Sequence, residues 1–137
     1  LRSEIRLALE LAAIIVHDRR PRRRLRPAEK YRPKGIVHCY SGSADDARVL
    51  ARQGCISASA APAPSRVPSG QQGHCALPLE QIVLETDCPY MAPEPVRGIR
   101  CDSSLIRYVG EYAASVKAQP EEVFRQTAQN ARAVYQL

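Results

Sequence analysis

The sequence predicts an α/β fold with parallel strands, and three observations lead there. Short β-branched runs alternate with helix-periodic stretches along the 137 residues, the rhythm of strand–helix–strand units. Ile14-Ile15-Val16 ends at His17, Gly35-Ile36-Val37 ends at His38, and Ile82-Val83-Leu84 stops just short of Asp87. In a (β/α) barrel the C-terminal strand ends converge on one face, so side chains far apart in sequence would meet there.

Residues 1–11 read as a helix with Leu1, Ile5 and Leu9 on one face. The run at 14–16 is β-branched, as in a strand buried on both sides. After the second run, Ser43 is a good N-cap, with Asp45 and Asp46 in the first turn and Gly54 beyond the end, so 44–53 is predicted helical. The third run leads into a loop over 89–98 that holds three prolines. Leu105, Val109, Tyr112 and Val116 then fall at helical spacing, predicting a helix over 103–117. Pro120 beside Glu121 and Glu122 opens a last helix, with Phe124, Ala128, Ala131 and Tyr135 as the expected buried face.

Two stretches break the rhythm. Residues 19–33 hold Pro21, Pro27 and Pro33 without apolar periodicity, and 57–78 hold Pro62, Pro64, Pro68 and Pro78 with almost no large apolar side chain. Composition predicts irregular structure for both. A coding region read out of frame between intact motifs would produce such text.

The length suits one domain over 1–137, or part of a larger one, and the 45% hydrophobic fraction allows a core. No apolar run approaches a membrane span, and the start, Leu1-Arg2-Ser3-Glu4, has no signal-peptide pattern and reads as a chain cut at its front. The five cysteines are odd in number and form no C-x-x-C pair, which points to a reducing, cytoplasmic setting. The net charge of +6 is local: residues 19–34 carry nine basic side chains and Glu29, for +8, and the remainder carries 11 basic and 13 acidic, for −2. Such a tract can contact phosphate backbones, although a solvated segment is the commoner use.

Four motifs carry chemistry. They are Ile14-Ile15-Val16-His17; Gly35-Ile36-Val37-His38-Cys39-Tyr40-Ser41-Gly42-Ser43; Leu84-Glu85-Thr86-Asp87-Cys88-Pro89-Tyr90, with Arg97-Gly98 behind it; and Thr127-Ala128-Gln129-Asn130-Ala131. In this order they resemble the TatD family of metal-dependent deoxyribonucleases, over 1–17, 35–56 and 79–137. The resemblance implies a partial TIM-type (β/α) barrel, the C-terminal half of a metal-dependent hydrolase barrel. It implies His17 and His38 as metal ligands, and Asp87 as ligand and general base. Arg97 would contact substrate phosphate, and Ser41 and Gly42 would offer backbone N–H groups to an anion at a helix start. The implied cofactor is a divalent ion, Mg2+, Mn2+ or Zn2+, and the implied reaction is cleavage of phosphodiester bonds in DNA by metal-activated water.

The chain departs from the pattern in places. The family's His-x-His on the first strand and a glutamate on a later one are not in these 137 residues. Ile99 and Cys101 stand where lysine and asparagine are common, and the turn at Ala12-Ala13 is one residue short. Two other readings remain open at this point. One is a non-catalytic nucleic-acid-binding fragment using the basic tract; the other is an inactive truncated remnant. The sequence leaves the oligomeric state open.

Overall fold

A computed structural model of the chain describes residues 2–10, 15–18, 34–40, 43–52, 54–59 and 76–137. Four strands form one sheet: β1 (Ile15–Asp18), β2 (Gly35–His38), β3 (Cys55–Ser59) and β4 (Ile82–Leu84). They lie side by side in chain order, and every neighbouring pair is parallel. The expected α/β architecture is present. Among the described residues the sheet is open, with β1 and β4 at its edges, and no closed barrel is formed.

Strand β3 corrects the sequence reading. Irregular structure was expected from residue 57, yet Ser57, Ala58 and Ser59 lie in register beside Ile82, Val83 and Leu84. A central strand has both backbone edges paired, and this ladder holds residues whose side chains are too small to advertise a strand. The remainder of that stretch up to residue 75, and residues 19–33, lie outside the described residues.

The described helices are α1 (Arg2–Glu10), α2 (Ala44–Arg52), α3 (Ile106–Val116) and α4 (Pro120–Tyr135), with α2 packed on β3 and with α3 and α4 on β4. Helix α2 starts where its cap predicts. The Ser43 hydroxyl accepts from the Asp46 N–H at 3.2 Å and donates to the Asp46 carboxylate at 2.9 Å, a reciprocal arrangement that fixes the first turn. Gly54, at φ 86°, turns the chain directly into β3, a conformation glycine adopts without cost. Before α3, a 3-10 turn at Ser103–Leu105 is capped by Asp102, whose side chain accepts from Ser104 N–H at 2.8 Å. In α1 the buried pair is Ile5 and Ala8, while Leu9, expected on that face, is exposed; the buried stripe steps from i to i+3 onto a small side chain.

Among the described residues, buried side chains gather in two clusters beside the sheet, and Val109, Val123 and Cys101 are buried outside them. Tyr40, Ala47, Leu50, Ala51, Leu77 and Ile82 pack together, with Val37 against them. Ile36, Val83 and Val134 form the other, with Ala131 beside them. Adjacent strand residues point to opposite faces, so β2 and β4 each contribute one residue to each cluster.

The expected face of α4 is wrong by one residue. Val123, Thr127, Asn130 and Val134 are its buried positions, whereas Ala128 and Tyr135 are exposed. The two polar residues explain the slip. Thr127 donates its hydroxyl to the Val123 carbonyl at 2.8 Å. The Asn130 amide donates to Leu79 O at 2.8 Å and Ile82 O at 2.7 Å. Both side chains are buried because their hydrogen bonds are made, which apolar periodicity cannot register. Phe124 is half-buried and lies over Gly110 of α3, where an added Cβ would sit 2.2 Å from the Phe124 ring. No helix of the described residues is long and apolar enough to cross a membrane.

Candidate metal centre

The carboxyl ends of β2 and β4 meet although β3 runs between them. Ile36 and Val83 pack in one cluster; two residues further along each chain, on the same faces by period 2, come His38 and Glu85. His38 Nδ1 hydrogen-bonds Glu85 Oε2. The other Glu85 oxygen accepts from the Cys39 N–H at 2.6 Å. His38 Nε2 lies 3.0 Å from Asp87 Oδ1. Cys39, at φ 46°, and Asp87, at φ 56°, both have left-handed backbone, which residues other than glycine seldom adopt. Such conformations concentrate at functional sites, where surrounding structure holds them.

The proton count gives this geometry its meaning. An ionised carboxylate only accepts, and a neutral imidazole carries one N–H. With that proton on Nδ1 toward Glu85, the Nε2 lone pair faces an Asp87 oxygen, and two acceptors at this separation repel. A cation between them, a second proton on the ring, or a proton on Glu85 with the ring N–H turned to Asp87 resolves the conflict. Burial pushes the Glu85 carboxyl above its ordinary range, the Cys39 N–H and His38 pull it down, and the Asp87 charge raises it. One nitrogen and two carboxylate oxygens, from His38, Glu85 and Asp87, lie within 4.8 Å of one another. Of these, His38 Nε2 and the Asp87 carboxylate suit a divalent ion such as zinc, manganese or magnesium, because both Glu85 oxygens are already engaged. A histidine ligand commonly gives its other N–H to a carboxylate, which fixes the tautomer, and Glu85 occupies that place.

The centre opens into a cleft of about 700 Å³ lined by His38, Glu85, Asp87, Tyr90, Met91 and Ile106 among others. Of the residues singled out in the sequence, His38 and Asp87 meet here. Arg97 is an exposed loop residue, ion-paired to Glu94 at 3.0 Å, and is not part of the cleft lining. His17 is in β1, paired in register with Val37, while Asp18 pairs with His38; side chains of β1 lie outside what the structure describes. Ser41 and Gly42 lie outside the described residues altogether. Glu85 was missed as a site residue. Its signal was present: it stands two before Asp87, past the end of a strand, where both can serve one face.

Known proteins resemble the chain over most of its length. Residues 1–136 match the family described as TatD related DNase. An uncharacterized metal-dependent hydrolase of Bacillus subtilis, YabD, is 32% identical over 111 residues, covering 75% of this chain and 41% of that protein. An uncharacterized metal-dependent hydrolase of Mycobacterium tuberculosis, TatD, is 34% identical over 104 residues, covering 74% and 39%. The crystal structure of YJJV, a TatD homologue of Escherichia coli, superposes with a TM-score of 0.89 at 19% identity, over 100% of this chain and 55% of that one. A TatD-family hydrolase structure from Entamoeba histolytica gives 0.79 at 16% identity, over 97% and 54%. The chain therefore spans about half the length of the solved structures it matches, and less of the curated relatives. It belongs to the TatD-related DNase family.

Proposed function

We propose that this chain supplies part of the centre of a metal-dependent hydrolase that cleaves phosphodiester bonds in DNA. The observation that carries the reading is the Nε2 of His38 facing Asp87 Oδ1 at 3.0 Å while Glu85 holds Nδ1. On this reading the open parallel sheet is the C-terminal half of a TIM-type (β/α) barrel, which the match to about half of each solved homologue supports. The odd number of cysteines favours a cytoplasmic setting.

His38 and Asp87 would hold Mg2+, Mn2+ or Zn2+, with His17 as a further ligand. A bound divalent ion lowers the pKa of coordinated water and neutralises charge on an attacked phosphate. Asp87 takes the proton from the attacking water as general base. Glu85 keeps the His38 ring in one tautomer and orientation. Arg97 can turn to a phosphate once its surface pair with Glu94 opens, and Ser41 and Gly42 would offer N–H groups to the same anion.

The test is binding and cleavage of a short oligodeoxynucleotide by the purified chain in Mn2+ and in EDTA. We expect binding that EDTA and His38→Ala both weaken. Turnover should be slow, because the family's His-x-His and further glutamate are not in this sequence. Binding that is salt-sensitive yet indifferent to chelator and to His38→Ala would overturn the reading in favour of a basic, non-catalytic binding segment.

A further inference from the structure

Tyr90 stands out on the wall of the cleft. It is 75% exposed, and Met91 and Ile106 beside it in the lining are 44% and 37% exposed. The three apolar side chains share one cleft with the His38–Asp87 pair. The backbone below is not loose. The Tyr90 N–H donates to Asp87 O at 3.0 Å, closing a turn on the very residue that faces His38, and the Cys101 N–H donates to Pro89 O at 3.1 Å. The backbone that carries Tyr90 is thus tied to Asp87, and its ring stands largely exposed in the wall of the same cleft.

We propose that Tyr90 is a substrate-positioning residue: its ring stacks the nucleobase next to the phosphate at the His38–Asp87 centre, with Met91 and Ile106 as the apolar floor. This rests on the reading that the centre acts on phosphodiesters. The chemistry commits the occupant. The anionic part of a nucleotide belongs beside the centre's cation, and the same cleft carries one aromatic ring, Tyr90, of the size and shape to meet a base. Stacking on aromatic side chains is tolerant of base identity, so Tyr90 contributes position and affinity without selecting sequence.

Tyr90 touches no core cluster, so Tyr90→Ala should fold, with circular dichroism as the check. The probe is a short oligodeoxynucleotide carrying 2-aminopurine, whose fluorescence is quenched on stacking, and its abasic counterpart, each titrated with Mn2+ present. For the native chain and Tyr90→Phe we expect quenching and tight binding. Tyr90→Ala should lose the quenching and weaken binding roughly 10- to 100-fold, the range for loss of one base–aromatic stack. The abasic strand should bind native chain and Tyr90→Ala alike, at the weakened level. Equal quenching and affinity in native chain and Tyr90→Ala would overturn the platform while leaving the centre's function standing. Failure of both strands to bind in Mn2+ would overturn the function itself, and the platform with it.

Discussion

Strand β4 is three residues long and has a polar cluster at each end, and the two clusters are opposites. At its start, one neutral amide, Asn130, gives its two protons to two carbonyls, Leu79 O and Ile82 O. Donors and acceptors balance there, and nothing further is required. At its end stand two carboxylates and one imidazole, with more acceptors than protons. A balanced cluster holds a fold together; a cluster short of positive charge is poised for a cation. Substitutions at the two ends of the same strand should separate stability from binding.

At the balanced end a large effect on stability is expected. Asn130→Ala removes a buried donor from the Ile82 carbonyl and leaves the Leu79 carbonyl with only the Ile82 N–H, and should cost about 1–3 kcal/mol in urea unfolding of the metal-free chain. If metal affinity of the variant's folded fraction also collapsed, the two ends would not be separable as argued.

Glu85→Gln tests the other end. The amide cannot hold the Nδ1–H of His38 with a charged oxygen, and metal affinity should fall about 10- to 100-fold, as for other groups that orient a histidine ligand. Metal-free stability should stay level or rise, since a half-buried acid near Asp87, raised in pKa by burial, is removed. A loss of stability like that of Asn130→Ala would place Glu85 among the structural groups.

Helix packing away from both ends affects stability alone. Gly110→Ala forces the Phe124 ring aside, and should lower stability by about 1–3 kcal/mol with metal affinity unchanged. Smallest is Arg97→Ala. Its pair with Glu94 is exposed, so the change in stability should stay within about 1 kcal/mol by thermal unfolding.

The same contrast explains what could be read from the sequence. The elements that announced themselves had strong local chemistry. Ser43 with Asp46 capped α2, Pro120 opened α4, and Gly54 closed a turn. His38 and Asp87 were legible because strand ends followed by polar residues converge in parallel sheets. What stayed hidden depended on partners elsewhere in the chain. Asn130 looks like a solvent residue until the carbonyls of Leu79 and Ile82 are placed beside it, and the expected face of α4 slipped by one position for that reason. Strand β3 has Ser57, Ala58 and Ser59 in it, and is a strand because β2 and β4 pair with it on both sides. Glu85 sits beside Asp87 in a motif that was recognised, but its role depends on which nitrogen of His38 needs a partner.

The central claim is that His38 and Asp87 form the binding end of this arrangement, and calorimetric titration of Mn2+ into the chain freed of metal with EDTA tests it most directly. The account predicts one site in the native chain, loss of binding in His38→Ala and Asp87→Ala, a smaller loss in His17→Ala, and little change in Gly110→Ala. Undiminished affinity in both His38→Ala and Asp87→Ala would contradict it, and would mean that the cation is held elsewhere.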